Sequence, residues 1–140
     1  MEKDFLYCID HDKKLCIVKA HRKITFQSSV DAMKRLAKAP DFNKKYAILV
    51  DLRQIKYIPS YSELIGIKDN LLFLKKSFRN KVALVTPGSL ALLGELVGIF
   101  SKRENMDVKS FTKINTAIEW LNINDKEEIE RISQLKFKDL

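Results

Sequence analysis

Residues 46–64 decide the fold of this 140-residue chain, and they read YAILVDLRQIKYIPSYSEL. The first five, Tyr46–Val50, form an uninterrupted apolar run of strand length, which is typical of an interior strand covered on both faces. Pro59 lacks a backbone donor and favours a loop or the first turn of a helix. Ser60 and Glu63 then match a capping box at the start of a helix that extends to about Ser77. The stretch therefore predicts a strand, a short loop and a capped helix.

Outward from this stretch, segments with strand and helix patterns alternate. Alternation of this kind implies a mainly parallel sheet, while the polar turn at residues 10–14 joins the first two strands into an antiparallel hairpin. We therefore predict a single-domain α/β fold with a mixed, mostly parallel sheet: an N-terminal β-hairpin, then β-α repeats with packed helices. The predicted strands are Phe5–Ile9, Leu15–Val18, Tyr46–Val50, Lys81–Thr86 and Val108–Phe111, and the predicted helices are Phe26–Ala39, Ser60–Ser77, Ser89–Arg103, Asn115–Leu121 and Asn124–Leu135.

Length and composition indicate one globular domain. Hydrophobic residues make up 46% of the chain, which argues against disorder. We predict that residues 1–123 form the domain and that residues 124–140 add a C-terminal helical extension to the same unit. The sequence shows neither a secretory signal at its start nor a run of about 20 apolar residues, so we predict a cytoplasmic protein without a membrane span.

Cys8 and Cys16 fall in the predicted hairpin, where they could face each other; two free buried thiols are favoured over a disulfide in a reducing compartment.

The net charge of +8 is unevenly distributed along the chain. Residues 101–140 contain eight basic and eight acidic side chains, so the whole excess lies in residues 1–100. Part of it follows the second predicted helix, at Lys75, Lys76, Arg79 and Lys81. Such a cluster suits a solvated helix end, or else an acidic partner, a membrane surface or a nucleic acid. No nucleic-acid motif or interleaved aromatic pattern accompanies it, and we predict no nucleic-acid partner.

The order and spacing of these segments resemble the STAS domain of anti-sigma-factor antagonists, and more closely its SpoIIAA-like relatives of the STAS/SEC14-like fold. The matching segments cover about residues 5 to 122: a strand that ends in Asp51-Leu52-Arg53, the strand Val82–Val85, and a late pattern of Phe111, Ala117, Trp120 and Leu121. The resemblance implies a non-enzymatic regulatory module that acts by protein–protein interaction. It also places Ser60 at the phospho-acceptor serine of the antagonists. Pro59 and Ser62 replace the Asp and Gly beside that serine, which favours the SpoIIAA-like branch.

Ser60 has two interpretations at this stage. Its hydroxyl can cap the following helix, which stabilises a helix by about 1 kcal/mol. A phosphate there would also be favourable, because it would meet the free amides and the positive dipole end of a helix N-terminus. The sequence leaves the phospho-acceptor role open.

The predicted helix Ser89–Arg103 is apolar nearly all round. Such a helix must be covered, either by the chain's own sheet or by a second subunit, a protein partner or an apolar ligand. The residues that could make such contacts are Leu92, Gly94, Leu96, Gly98 and Ile99 on the helix, together with Arg53 and Ser89 at predicted carboxyl ends of strands, where α/β sheets place ligands. The alternative function is a carrier or sensor of a small apolar ligand or lipid, bound in a groove beside this helix.

Two further constellations resemble known sites. Asp10, Asp12, Asp51, Thr86 and Lys113 mimic a phospho-aspartate receiver, but a receiver needs a helix directly after its first strand. Cys8, His11, Cys16 and His21 fall close together, but their spacing does not match common zinc sites, and strand alternation separates the side chains. We find no catalytic motif. The sequence thus predicts no enzyme, no metal and no cofactor, and a protein partner or a second copy of the chain as the binding partner.

Overall fold

The computed structural model describes residues 5–20, 26–53, 60, 62, 75–103, 105–123, 134 and 136–140. Most of the predicted helices at 60–77 and 124–135 lies outside these residues, although Ser62 and residues 75–77 are helical. None of the helices in the described part of the chain has the length and apolar character needed to cross a bilayer.

Within the described residues, six strands form one sheet in the order β5-β4-β3-β2-β1-β6. β2, β3, β4 and β5 are parallel neighbours, whereas β1 runs antiparallel to both β2 and β6. The predicted mixed α/β architecture with an opening hairpin is therefore confirmed. The strands are β1 Phe5–Asp10, β2 Leu15–Ala20, β3 Ala47–Asp51, β4 Val82–Val85, β5 Val108–Phe111 and β6 Lys138–Asp139.

Three helices are described in full. They are α1 Phe26–Lys38, α2 Ala91–Arg103 and α3 Ile114–Trp120. A 3₁₀ turn, Gly88–Leu90, precedes α2, and its N-cap position is Pro87 without a side-chain hydrogen bond. Ser89 therefore lies within the 3₁₀ turn, and the α-helix begins two residues after the predicted start.

The central strand β3 is covered on both faces, as its apolar run predicts. Ile48 and Val50 join a core cluster with Leu36 of α1. Leu49, which points the other way, joins a second cluster with Ile118 of α3. The sheet thus separates two apolar layers, because successive side chains of a strand point to opposite faces.

The C-terminal strand β6 was not predicted. Lys138 and Asp139 pair with Tyr7 and Leu6 of β1, and this strand lies within the range 124–140 that the sequence assigns to a helical extension. The amide of Leu140 donates to the carbonyl of Phe5 at 3.0 Å, and its side chain is buried. A two-residue strand is too short to show an alternation of apolar and polar residues, so no sequence pattern predicts it.

The hairpin register corrects the expected relation of the two cysteines. Cys8 lies opposite Ile17, and Cys16 lies opposite Ile9. The two thiols are one residue out of register and belong to the core clusters on opposite faces of the sheet. Both thiols are free and buried, in agreement with the favoured interpretation of the sequence. They do not face each other across the hairpin, as the sequence had allowed.

Candidate functional site

At the carboxyl ends of the parallel strands, Arg53 holds Asp51 in a bidentate ion pair. Arg53 Nε donates to Asp51 Oδ1 at 2.9 Å, and Arg53 Nη2 donates to Oδ2 at 2.8 Å. The Arg53 amide adds a third bond to Oδ1 at 3.1 Å. Asp51 is buried, whereas the side chain of Arg53 is 44% exposed. The guanidinium is thus already occupied by the chain's own carboxylate.

The ion pair sets the electrostatics of this end of the sheet. Burial raises the pKa of Asp51, but the hydrogen bonds from Arg53 and the charges of Arg53 and Lys19 together lower it below its ordinary value. The hydrogen bond to Asp51 in turn raises the pKa of Arg53. Asp51 therefore stays ionised near neutral pH and holds both the backbone amide and the side chain of Arg53, which is a structural role that the sequence pattern did not reveal.

Ser60 is exposed, and its hydroxyl lies 3.1 Å from that of Ser62. Glu63, the other half of the predicted capping box, lies outside the described residues. The phospho-acceptor role of Ser60 stays a prediction.

The inner face of α2 packs against the chain's own edge strand. A Cβ atom added to Gly94 would lie 2.6 Å from the Cβ of Ser110 in β5, and one added to Gly98 would lie 3.3 Å from the carbonyl oxygen of Val108. Small residues at this spacing permit the close approach of helix and sheet. The interpretation of Gly94 and Gly98 as partner contacts is therefore revised: both glycines are used for packing within the chain.

The outer face of α2 carries the largest exposed apolar side chains among the described residues. Leu92 is 71% exposed and Ile99 is 53% exposed. Leu96 lies between them, one helical turn from each, and is half-buried. These three residues form what we call the apolar stripe. The structure thus divides the predicted all-round apolar helix into a packed inner face and an uncovered outer one.

The charged cluster seen in the sequence forms part of a larger surface at the amino-terminal ends of the strands. Lys44 and Lys45 precede β3, and their carbonyl oxygens accept hydrogen bonds from the Arg79 amide at 2.9 Å and from Asn80 Nδ2 at 2.8 Å. We call the exposed cations at this place the basic edge: Lys44, Lys45, Lys75, Lys76 and Arg79. The sequence alone did not bring the two lysines before β3 together with the others, because the pairing of loops 30 residues or more apart depends on sheet order.

Lys81, which the sequence groups with these cations, points elsewhere. Its ammonium donates to the carbonyl of Trp120 at 3.2 Å and lies 5.1 Å from the centre of the Trp120 ring. It therefore anchors the end of α3 on the other face of the sheet.

The two disfavoured constellations are separated by the fold. Asp10 and Asp12 lie at the hairpin turn, whereas Asp51 is the last residue of β3, and Thr86 and Lys113 follow the carboxyl ends of β4 and β5. The receiver-like set is thus divided between opposite ends of the sheet. Among the residues that the structure describes, no three His, Cys, Asp or Glu side chains could hold a metal ion together, and His21 of the zinc-like set lies outside them.

This arrangement of a hairpin, parallel strands and packed helices is a SpoIIAA-like fold. One solved structure matches this chain with a probability of 1.00. It is that of an uncharacterized protein of the DUF3478 family from Shewanella loihica PV-4, which is itself described as having a SpoIIAA-like fold. The match has a TM-score of 0.56 and 20% sequence identity, and it covers 84% of this chain and 93% of that one. No family model and no curated protein matches the chain. The similarity therefore establishes the fold and leaves the activity to be argued from the surface.

Proposed function

We propose that this chain is a non-enzymatic binding module that acts on another protein through the apolar stripe of α2. The observation that carries the proposal is the exposure of Leu92 and Ile99, seven residues apart on one face of a 13-residue helix whose other face is fixed against β5. Complete burial of a Leu or Ile side chain stabilises a contact by about 1.5 to 3 kcal/mol. The stripe is therefore a favourable centre for an interface.

The charges around the stripe favour a particular kind of partner surface. Glu95 is exposed beside it, while Lys102 and Arg103 are exposed in the last turn of the helix. An apolar centre with a charged rim is the usual anatomy of a protein interface. We expect a partner with an apolar patch and with acidic side chains opposite Lys102 and Arg103.

A non-enzymatic role is consistent with the strand ends. Asp51 and Arg53 neutralise each other there, so neither is a free acid or base for catalysis. The predicted cytoplasmic location agrees with two free cysteines but stays a prediction.

The test replaces the stripe and leaves the fold intact. The double variant Leu92→Ser, Ile99→Ser is compared with Asn115→Ser, Glu119→Ser, which changes two exposed residues of α3 on the other face of the sheet. A partner is first identified by affinity purification from the source organism and is then purified. Calorimetry with that partner should show binding at least about tenfold weaker for the stripe variant and unchanged for the control.

Two results would contradict the proposal. Equal affinity of the stripe variant and the wild type would show that the stripe is not the contact. If light scattering showed that the wild type and the control are dimers and that the stripe variant is a monomer, the stripe would bind a second copy of the chain. Circular dichroism of both variants checks that the fold is kept.

The alternative function, a carrier of a small apolar ligand or lipid, draws on the same helix. Native mass spectrometry of protein purified from the source organism would detect such a ligand as added mass, and it would equally detect a phosphate on Ser60. A bound lipid that the stripe variant loses would favour the carrier over the protein-binding module.

A further inference from the structure

We infer that the basic edge and the groove beside it bind an acidic segment of another polypeptide. All five cations of the basic edge are exposed. Within the described part of the chain, none of these five side chains forms an ion pair. Five unpaired positive charges at one end of a sheet produce a local potential that attracts an anionic partner. The surface is separate from the apolar stripe, so the inference does not depend on the proposed function.

The two loops that carry Lys44, Lys45 and Arg79 are held together by hydrogen bonds within the chain. Besides the two bonds to the carbonyls of Lys44 and Lys45, Asn80 Oδ1 accepts from the amide of Lys81 at 2.7 Å, and Ile48 donates to the carbonyl of Lys81 at 2.9 Å. The backbone positions of Lys44, Lys45 and Arg79 are therefore fixed next to the sheet. A preorganised surface loses less conformational entropy on binding than a flexible one.

A groove of about 330 Å³ lies beside the basic edge and is open to solvent. Its lining includes Lys75 and Arg79 together with Asn105, Met106 and Asp107. Met106 and Asp107 are held by both α2 and the sheet, since the amide of Met106 donates to the carbonyl of Ser101 in α2 and that of Val82 in β4 donates to the carbonyl of Asp107, both at 2.9 Å. The groove can hold a few side chains of an extended segment, with carboxylates next to Lys75 and Arg79.

Asp107 is the one acidic side chain among the residues that line the described groove. It repels a carboxylate at its own position, so an acidic segment must bind with its charges next to Lys75 and Arg79. Removal of this charge should therefore tighten binding, whereas loss of the cations should weaken it. A merely structural role of these residues would not produce changes of opposite sign.

The aromatic side chains described near the basic edge favour a polypeptide over a single-stranded nucleic acid. Phe78 is buried and packs edge-on against Phe42, with ring centres 5.6 Å apart. Tyr46 packs edge-on against His11 and is hydrogen-bonded to it at 3.0 Å. Single-stranded nucleic acids are bound by exposed rings that stack flat on bases, and of these four rings only His11 is exposed.

A membrane surface is also disfavoured at this place. A bilayer is flat and would not fill a groove. Peripheral binding gains most when apolar side chains enter the lipid, and the apolar residues of this groove, Phe78 and Met106, are buried and half-buried.

The experiment measures binding of a fluorescent oligoglutamate peptide by anisotropy at low and at physiological ionic strength. The wild type should bind the peptide, and binding should weaken with salt because exposed charges are screened. An oligothymidylate of equal charge and vesicles that contain phosphatidylserine are the competing probes. Tighter binding of either one than of the peptide would overturn the assignment to an acidic polypeptide, as would the absence of peptide binding at low salt.

Variants of equal charge locate the site. The double variant Lys75→Glu, Arg79→Glu should weaken peptide binding by about tenfold or more. The control is the double variant Lys109→Glu, Lys113→Glu, which has the same net charge but changes one residue of β5 and one residue after it. It should have a much smaller effect. Asp107→Asn should tighten binding. Equal losses in the two charge-reversed variants would mean that only net charge matters and would refute the site, and so would an Asp107→Asn variant that binds like the wild type.

Discussion

At the residue scale, the two cysteines show how a one-residue shift in register changes chemistry. Cys8 and Cys16 lie on neighbouring strands, yet their thiols are on opposite faces of the sheet. Burial raises the pKa of Cys8 to about 11 and that of Cys16 to about 12, with smaller contributions from nearby acidic groups. The thiols are therefore protonated near neutral pH and are packed as small apolar groups.

We expect both thiols to react slowly with a thiol reagent near neutral pH in the folded protein and rapidly in urea. Stability should also fall as pH rises from 9.0, the ordinary pKa of a thiol, towards about 11, because the thiols ionise in the unfolded chain before they ionise in the folded one. Urea denaturation over this pH range measures the effect. The variant Cys8→Ala, Cys16→Ala is the control and should show a shallower decline; an equally steep one would assign the loss to other groups.

At the scale of elements, α2 is the part that the sequence described least completely. Its nearly uniform apolar character predicted a covered helix but could not say which face the sheet covers, since Leu92, Leu96 and Ile99 are as apolar as the residues that face inward. The glycines decide the question: Gly94 and Gly98 have no side chain, so their face comes closest to β5. The spacing of apolar residues indicates which faces of a helix can be buried. The closest approach of the helix to the sheet depends instead on the positions that have no side chain.

Gly88, at the start of the 3₁₀ turn, and Gly94, within α2, should respond differently to replacement by alanine. Gly94→Ala places a Cβ atom 2.6 Å from that of Ser110, so we expect a loss of about 1 to 3 kcal/mol in the free energy of unfolding. Gly88→Ala meets nothing within 4 Å and should be neutral or stabilise by up to about 1 kcal/mol. Urea denaturation of both variants measures the difference. A Gly94→Ala variant as stable as Gly88→Ala would contradict the close packing of α2 on β5.

At the scale of the whole molecule, the sequence predicted the architecture and missed its last strand. The apolar runs at β3 and β4 and the helical spacing around them suffice for a mixed α/β sheet, because long-range order follows from the alternation of strands and helices. The pairing of β6 with β1 and the meeting of Lys44 and Lys45 with Arg79 do not follow, because both depend on contacts between distant segments. Surfaces formed by several loops are for this reason harder to predict than cores.

The C-terminal residues contribute to the core on each side of the sheet: Leu140 joins one apolar cluster and Phe137 packs against the other. We therefore expect a chain that ends at residue 123 to be clearly less stable than the full chain. Leu140→Ala alone should cost about 2 kcal/mol, since it removes a buried side chain. Asp139→Ala, which changes an exposed side chain of the same strand, should cost less than about 0.5 kcal/mol. Thermal and urea denaturation compare the three, and a truncated chain with full stability would show that residues 124–140 are not part of the folding unit.

Both borders of the sheet have features that discourage fibril growth. One border is the four-residue β5 with the exposed Lys109, and the other is the two-residue β6 with the exposed Lys138. Short outer strands that carry lysine are poor templates for a second sheet. β6 also shields part of the six-residue β1, whose Phe5, Tyr7 and Ile9 would otherwise lie at a bare border. Detachment of the last few residues would bare this part of β1, and we expect it to favour edge-to-edge association of strands without global unfolding.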